Sequence, residues 1–84
     1  MSNPDPMLLK AAILRVLLAN DTKWGLTADA VVNLIRGEGF DEPTSTVRDA
    51  LDLLLDWRFV RLASRPLDRN ARAFAITAEG RGQV

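Results

Sequence analysis

The chain has 84 residues, which suits one small domain with a modest core. Its apolar and charged shares, 48% and 26%, are those of a folded globular domain and not of a disordered segment. It has no cysteine and no histidine, which excludes disulfides, thiolate metal sites and thiol catalysis and removes the commonest metal ligand and general base. No nucleophile–base pair is visible, and Gly37-Glu38-Gly39 is too short a turn to cradle a phosphate. Neither enzyme activity nor a metal or cofactor is expected. The apolar run from Met7 to Ala19 is broken by Lys10 and Arg15, too short and too interrupted to span a bilayer. Ser2-Asn3-Pro4-Asp5-Pro6 offers no basic region for a signal peptide, so a cytoplasmic location is expected.

Residues 1–6 read as an irregular leader. Leu9, Ala12, Ile13, Val16 and Leu17 then recur at helical spacing, which predicts a first helix over about Pro6 to Asn20. Ala11, Leu14 and Leu18 lie off that stripe and form a second apolar face. Thr22 to Gly25 form a loop, with Trp24 read as a partly buried anchor, and Leu26 can start a very short strand. Thr27 is a good N-cap, and Asp29 suits the positive end of the helix that follows. Ala28, Val31, Val32 and Ile35 form its buried stripe, and Gly37 and Gly39 end it near Arg36.

Phe40 reads as a core anchor in the connection. Asp41, Glu42, Pro43 and Thr44 look like a helix start capped by oxygen side chains. Val47, Ala50, Leu51, Leu54 and Leu55 predict a third helix ending near Trp57 or Arg58, with Trp57 another partly buried anchor. The period then changes to two. Val60, Leu62 and Ser64 alternate with Arg61, Ala63 and Arg65; Pro66 to Asn70 is turn material; Arg72, Phe74 and Ile76 alternate with Ala71, Ala73, Ala75 and Thr77. Gly80 and Gly82 leave a short tail.

Three helices followed by a hairpin predict an α+β, mainly α fold: a winged helix over residues 7–82, with a three-helix helix-turn-helix core, a two-stranded wing and residues 83–84 as tail. Two segments carry a resemblance. Ser45-Thr46-Val47-Arg48-Asp49-Ala50-Leu51-Asp52-Leu53-Leu54 resembles the recognition helix of small bacterial winged-helix regulators of the arsenic-responsive, multiple-antibiotic-resistance and phenolic-acid-repressor types. Phe74-Ala75-Ile76-Thr77-Ala78-Glu79-Gly80 resembles the end of their second wing strand. Over about residues 8–82 the chain is also similar to small winged-helix proteins of Mu-like bacteriophages. The resemblance implies a DNA-binding transcriptional regulator or phage DNA-associated factor. It departs at Arg58, where those regulators usually have a glycine suited to positive φ. Their C-terminal dimerisation helices have no counterpart before Val84.

For DNA binding, Ser45, Thr46 and Arg48 are the candidates at the start of the third helix, and Arg65, Arg69, Asn70 and Arg72 those on the wing. The charge distribution points both ways. Residues 1–56 carry five bases against nine acids, whereas residues 57–84 carry six arginines against two acids. Ser45, Asp49, Asp52 and Asp56 form one exposed stripe on the third helix, which phosphates would repel. The alternative is therefore a protein-interaction module that presents Asp49, Asp52 and Asp56 to a basic partner. A homodimer through Ala11, Leu14 and Leu18 of the first helix is expected, as suits a regulator that reads two half-sites.

Overall fold

The computed structural model describes residues 6–20, 25–63 and 72–84. The leader before residue 6, Trp24, and the wing candidates Arg65, Arg69 and Asn70 lie outside the described residues. The elements run α1 (Pro6–Ala19), β1 (Leu26–Thr27), α2 (Ala28–Arg36), α3 (Thr44–Asp56), β2 (Val60–Leu62), β3 (Ala73–Ile76) and α4 (Ala78–Arg81).

α1 buries the stripe that its spacing predicts, Leu9, Ala12, Ile13, Val16 and Leu17. It also packs against α2, α3, β3 and α4, so more than one stripe is covered. This corrects the expected second face. Leu14 is only 4% exposed and belongs to the core, Leu18 packs against the core, and Ala11 is half-buried. The apolar surface assigned to a helix 1 dimer is largely consumed by the chain's own fold. At the other end of the helix, the Arg15 guanidinium donates twice to Glu38 Oε1, at 3.2 and 2.8 Å, tying α1 to the turn after α2. Both side chains are well exposed, so the bridge stabilises by at most about 1 kcal/mol.

Thr27 caps α2 as its position predicts, its hydroxyl accepting from the Ala30 amide at 3.2 Å. Ala28, Val31, Val32 and Ile35 are buried. The chain leaves α2 through a Schellman turn: the Gly39 amide donates to Arg36 and the Phe40 amide to Ile35, with Gly39 at φ 92°. Phe40 packs against the core, as expected.

α3 buries Val47, Ala50, Leu51 and Leu54, with Leu55 packed at the margin. Its start differs from the expected one: Pro43 holds the cap position, and no side-chain hydrogen bond caps the first turn. The other end repeats the turn that closes α2. The Arg58 amide donates to Leu55 and the Phe59 amide to Leu54, and Arg58 adopts φ 66°. Among the described residues it is the one non-glycine with positive φ. The left-handed conformation that the missing glycine would have eased is therefore kept, at about 1–2 kcal/mol of backbone strain.

The sheet has three antiparallel strands in the order β1-β3-β2, so the hairpin is joined by a third strand. Val60 pairs with Ile76 and Leu62 with Phe74, while Leu26 pairs with Phe74 from the other side. β3 is thus central. The expected alternation fails there, because Ala73 and Ala75 are buried along with Phe74 and Ile76. Small residues flanked by a strand on each side keep little accessible surface whichever face they occupy.

The expected tail at Gly80 is instead the helical turn α4, packed against α1 and β3. The Thr77 hydroxyl accepts from the Gly80 amide at 3.0 Å and donates to the Arg58 carbonyl at 2.6 Å. Gly80 is buried, and a Cβ there would overlap the Phe59 carbonyl oxygen.

Candidate nucleic-acid interface

The first turn of α3 leaves backbone amides without a side-chain cap. Such a turn is the positive end of a helix dipole with donors pointing outward, suited to an anion. Thr44 donates to Asp29 Oδ1 at 3.4 Å, which links the start of α3 to the first turn of α2. Of the predicted contact residues, Ser45 and Arg48 are exposed one turn apart on α3, whereas Thr46 is half-buried. Ser45 and Arg48 can therefore reach a nucleic acid without rearrangement, and Thr46 only at its edge.

Farther along the same helix the surface is acidic. Asp49, Asp52 and Asp56 are all exposed, as their spacing predicts, and none forms an ion pair among the described residues. No group of three acidic side chains is placed to hold a metal ion among the described residues. Beside the aspartates, Leu53 is 38% and Trp57 42% exposed. Trp57 is less buried than an anchor. Its ring meets Phe59 edge-on with centroids 6.0 Å apart, and Lys10 Nζ lies 5.6 Å from its centroid. A cation over an indole face is attracted by the ring quadrupole, so Lys10 holds the Trp57 side chain against α1.

On the wing, Arg72 is exposed as expected. The described hairpin adds Arg61, exposed on β2 opposite Ala75, and the turn before it adds Arg58. Arg61 was not among the candidate contacts. Its outward position was legible in the alternation with Val60 and Leu62, which assigns it to the face away from the core. The interface is thus divided: hydroxyl and arginine at the start of α3, arginines on the hairpin, and an acidic, partly apolar strip between Asp49 and Trp57.

No helix among the described residues is long and apolar enough to cross a membrane. No protein-family model matches the chain, and no curated protein matches it. Among solved structures the chain is similar to SSV1 F-93, with a TM-score of 0.66 and 24% identity over 95% of this chain and 80% of that one. At that identity the likeness is one of fold. With the helices α1 to α3 followed by an antiparallel hairpin whose base is joined by β1, the fold is a winged helix.

Proposed function

We propose that this winged-helix domain binds double-stranded DNA, with the start of α3 at the major groove and the arginine-bearing hairpin along the backbone. The observation that carries the reading is the pair Ser45 and Arg48, both exposed near the start of α3, whose first-turn amides no side chain caps. Arginine offers a bidentate contact to guanine, and the hydroxyl and amides suit phosphate. Arg61 and Arg72 supply further cations, and the resemblance of residues 45–54 and 74–80 to small bacterial and phage regulators supports the same role. The acidic stripe limits the groove contact to the first turn of α3, so affinity is modest and strongly dependent on salt.

Fluorescence anisotropy with random duplex DNA at two salt concentrations tests this. Binding that weakens steeply with salt is expected; no binding at low salt would remove DNA from the account. A second reading is favoured by the exposure of Asp49, Asp52 and Asp56: the far part of α3 docks a cationic protein surface. Asp49→Asn with Asp52→Asn separates the two. Stronger DNA binding means the stripe faces DNA, and unchanged DNA binding leaves it to a protein.

A further inference from the structure

α3 carries its charges against its own dipole. No acidic residue stands in its first turn and no basic residue in its last, while Arg48 lies near its start and Asp49, Asp52 and Asp56 follow toward its end. The stabilising order is the reverse, with carboxylates at the N-terminus and cations at the C-terminus. Asp49 has no basic residue three or four positions away on either side, and Asp52, one turn on, carries the same charge. Asp49 is exposed and takes part in no ion pair among the described residues. An acid at this position therefore costs helix stability, and no cation one turn away offsets the cost.

At about 100° per residue, Arg48 and Asp49 stand roughly 60° and 40° to either side of Ser45 around the helix axis. All three are exposed. A duplex groove that receives Ser45 and Arg48 therefore also receives Asp49, the first acid of the stripe. Phosphates on the groove walls repel a carboxylate, but the floor of the major groove carries amino donors. Adenine presents its amino group beside the N7 acceptor, which repels a carboxylate in turn. Cytosine presents its N4 amino group with no acceptor on the same edge.

We propose that Asp49 is a specificity-determining residue of the DNA contact. Its carboxylate accepts from a cytosine N4 amino group, on the guanine–cytosine pair that Arg48 reads or on the pair next to it. The role rests on the DNA reading of α3. Where that amino group is missing, the carboxylate sits in the groove unpaired, so a wrong sequence is actively rejected. Asp52 and Asp56, one and two turns farther from the start of α3, take no part in this readout.

A binding cycle between one carboxylate and one amino group tests the assignment. A duplex is selected from a random pool with the wild-type protein, and its cytosine is replaced by 2-pyrimidinone, which lacks only the amino group. Wild type is expected to lose affinity at least about tenfold, since a charge-assisted hydrogen bond goes and the carboxylate is left unpaired. Asp49→Ala is expected to bind the two duplexes within about twofold of each other. On random duplex the same variant should bind more tightly than wild type, because repulsion of phosphate falls.

The position is exposed in mid-helix, so the alanine variant should fold, which circular dichroism checks; Asp49→Ser supplies the same cycle if it does not. Three results each overturn the assignment and leave the DNA reading standing: a selected site without cytosine beside the guanine, a wild type indifferent to the amino group, or an Asp49→Ala protein that loses as much as wild type on its removal. If wild type binds no duplex at low salt, both fall together.

Discussion

The Thr77 hydroxyl donates a 2.6 Å hydrogen bond to the carbonyl of Arg58, the residue held at φ 66° between α3 and the hairpin. The same oxygen accepts from the Gly80 amide, and the Thr77 amide donates to the Phe59 carbonyl. One threonine thus clamps a strained backbone turn and caps α4. Thr77→Val keeps the shape and removes the hydroxyl. It should cost about 1–2 kcal/mol, because the part-buried Gly80 amide loses its cap and the exposed Arg58 carbonyl its donor. Arg58→Gly should act in the opposite direction by about 1 kcal/mol, since glycine carries no left-handed penalty. Urea unfolding midpoints check both, with an unchanged m-value.

Gly80 and Gly82 lie two residues apart and should respond differently to alanine. A Cβ at Gly80 would overlap the Phe59 carbonyl, so Gly80→Ala must push α4 away from the turn between α3 and β2 and should cost about 2–3 kcal/mol. At Gly82 the nearest atom to an added Cβ is the Glu79 carbonyl oxygen at 3.4 Å, and φ is −68°. Gly82→Ala should be neutral or stabilising by about 0.5 kcal/mol. Thermal unfolding of the two variants under one buffer distinguishes a packing constraint from a general dislike of side chains in this segment.

Leu14 is a core residue, and its substitution should report stability and not assembly. Leu14→Ala should lose about 2–4 kcal/mol. Leu14→Glu should unfold the domain, since a small domain has only about 5 kcal/mol in reserve and a buried unpaired carboxylate costs most of that. A folded, soluble Leu14→Glu protein by circular dichroism would contradict the packing described for α1.

Arg48→Ala and Arg72→Ala separate two kinds of DNA contact. If Arg72 meets phosphate, its loss should weaken binding to all duplexes alike and flatten the plot of log affinity against log salt by about one unit. If Arg48 meets a base edge, its loss should narrow the gap between preferred and random sequences by about 1–3 kcal/mol. Anisotropy titrations on a selected and a random duplex read both effects.

Much of the fold was legible because it rests on short-range chemistry. The Thr27 cap, the period of α2 and α3 and the glycine turn before Phe40 all follow from residues within a few positions of each other, whereas the positive φ at Arg58 was implied only by the resemblance, with the arginine pointing to a different turn. What was not legible depends on neighbours distant in sequence. The burial of Leu14 needs the surroundings of α1, which no local pattern announces. Ala73 and Ala75 read as an outward face until β1 pairs with β3 and makes that strand central. The tail reads as glycine-rich and loose, yet Gly80 is required by a carbonyl twenty-one residues away in sequence. In the interface, the exposure of Ser45, Arg48 and the three aspartates followed from the helix period. The Trp57 surface did not, because an aromatic at a helix end looks like a core residue until its surroundings are known.

Thr27 has two attachments whose combined effect is mechanical. It is the strand partner of Ala73, and its hydroxyl caps the first turn of α2. The base of the wing and the front of the helix packed on α3 are therefore fastened through a single residue. A displacement of the wing base at Ala73 therefore meets the front of α2 at one position, where strand pairing and a side-chain cap coincide.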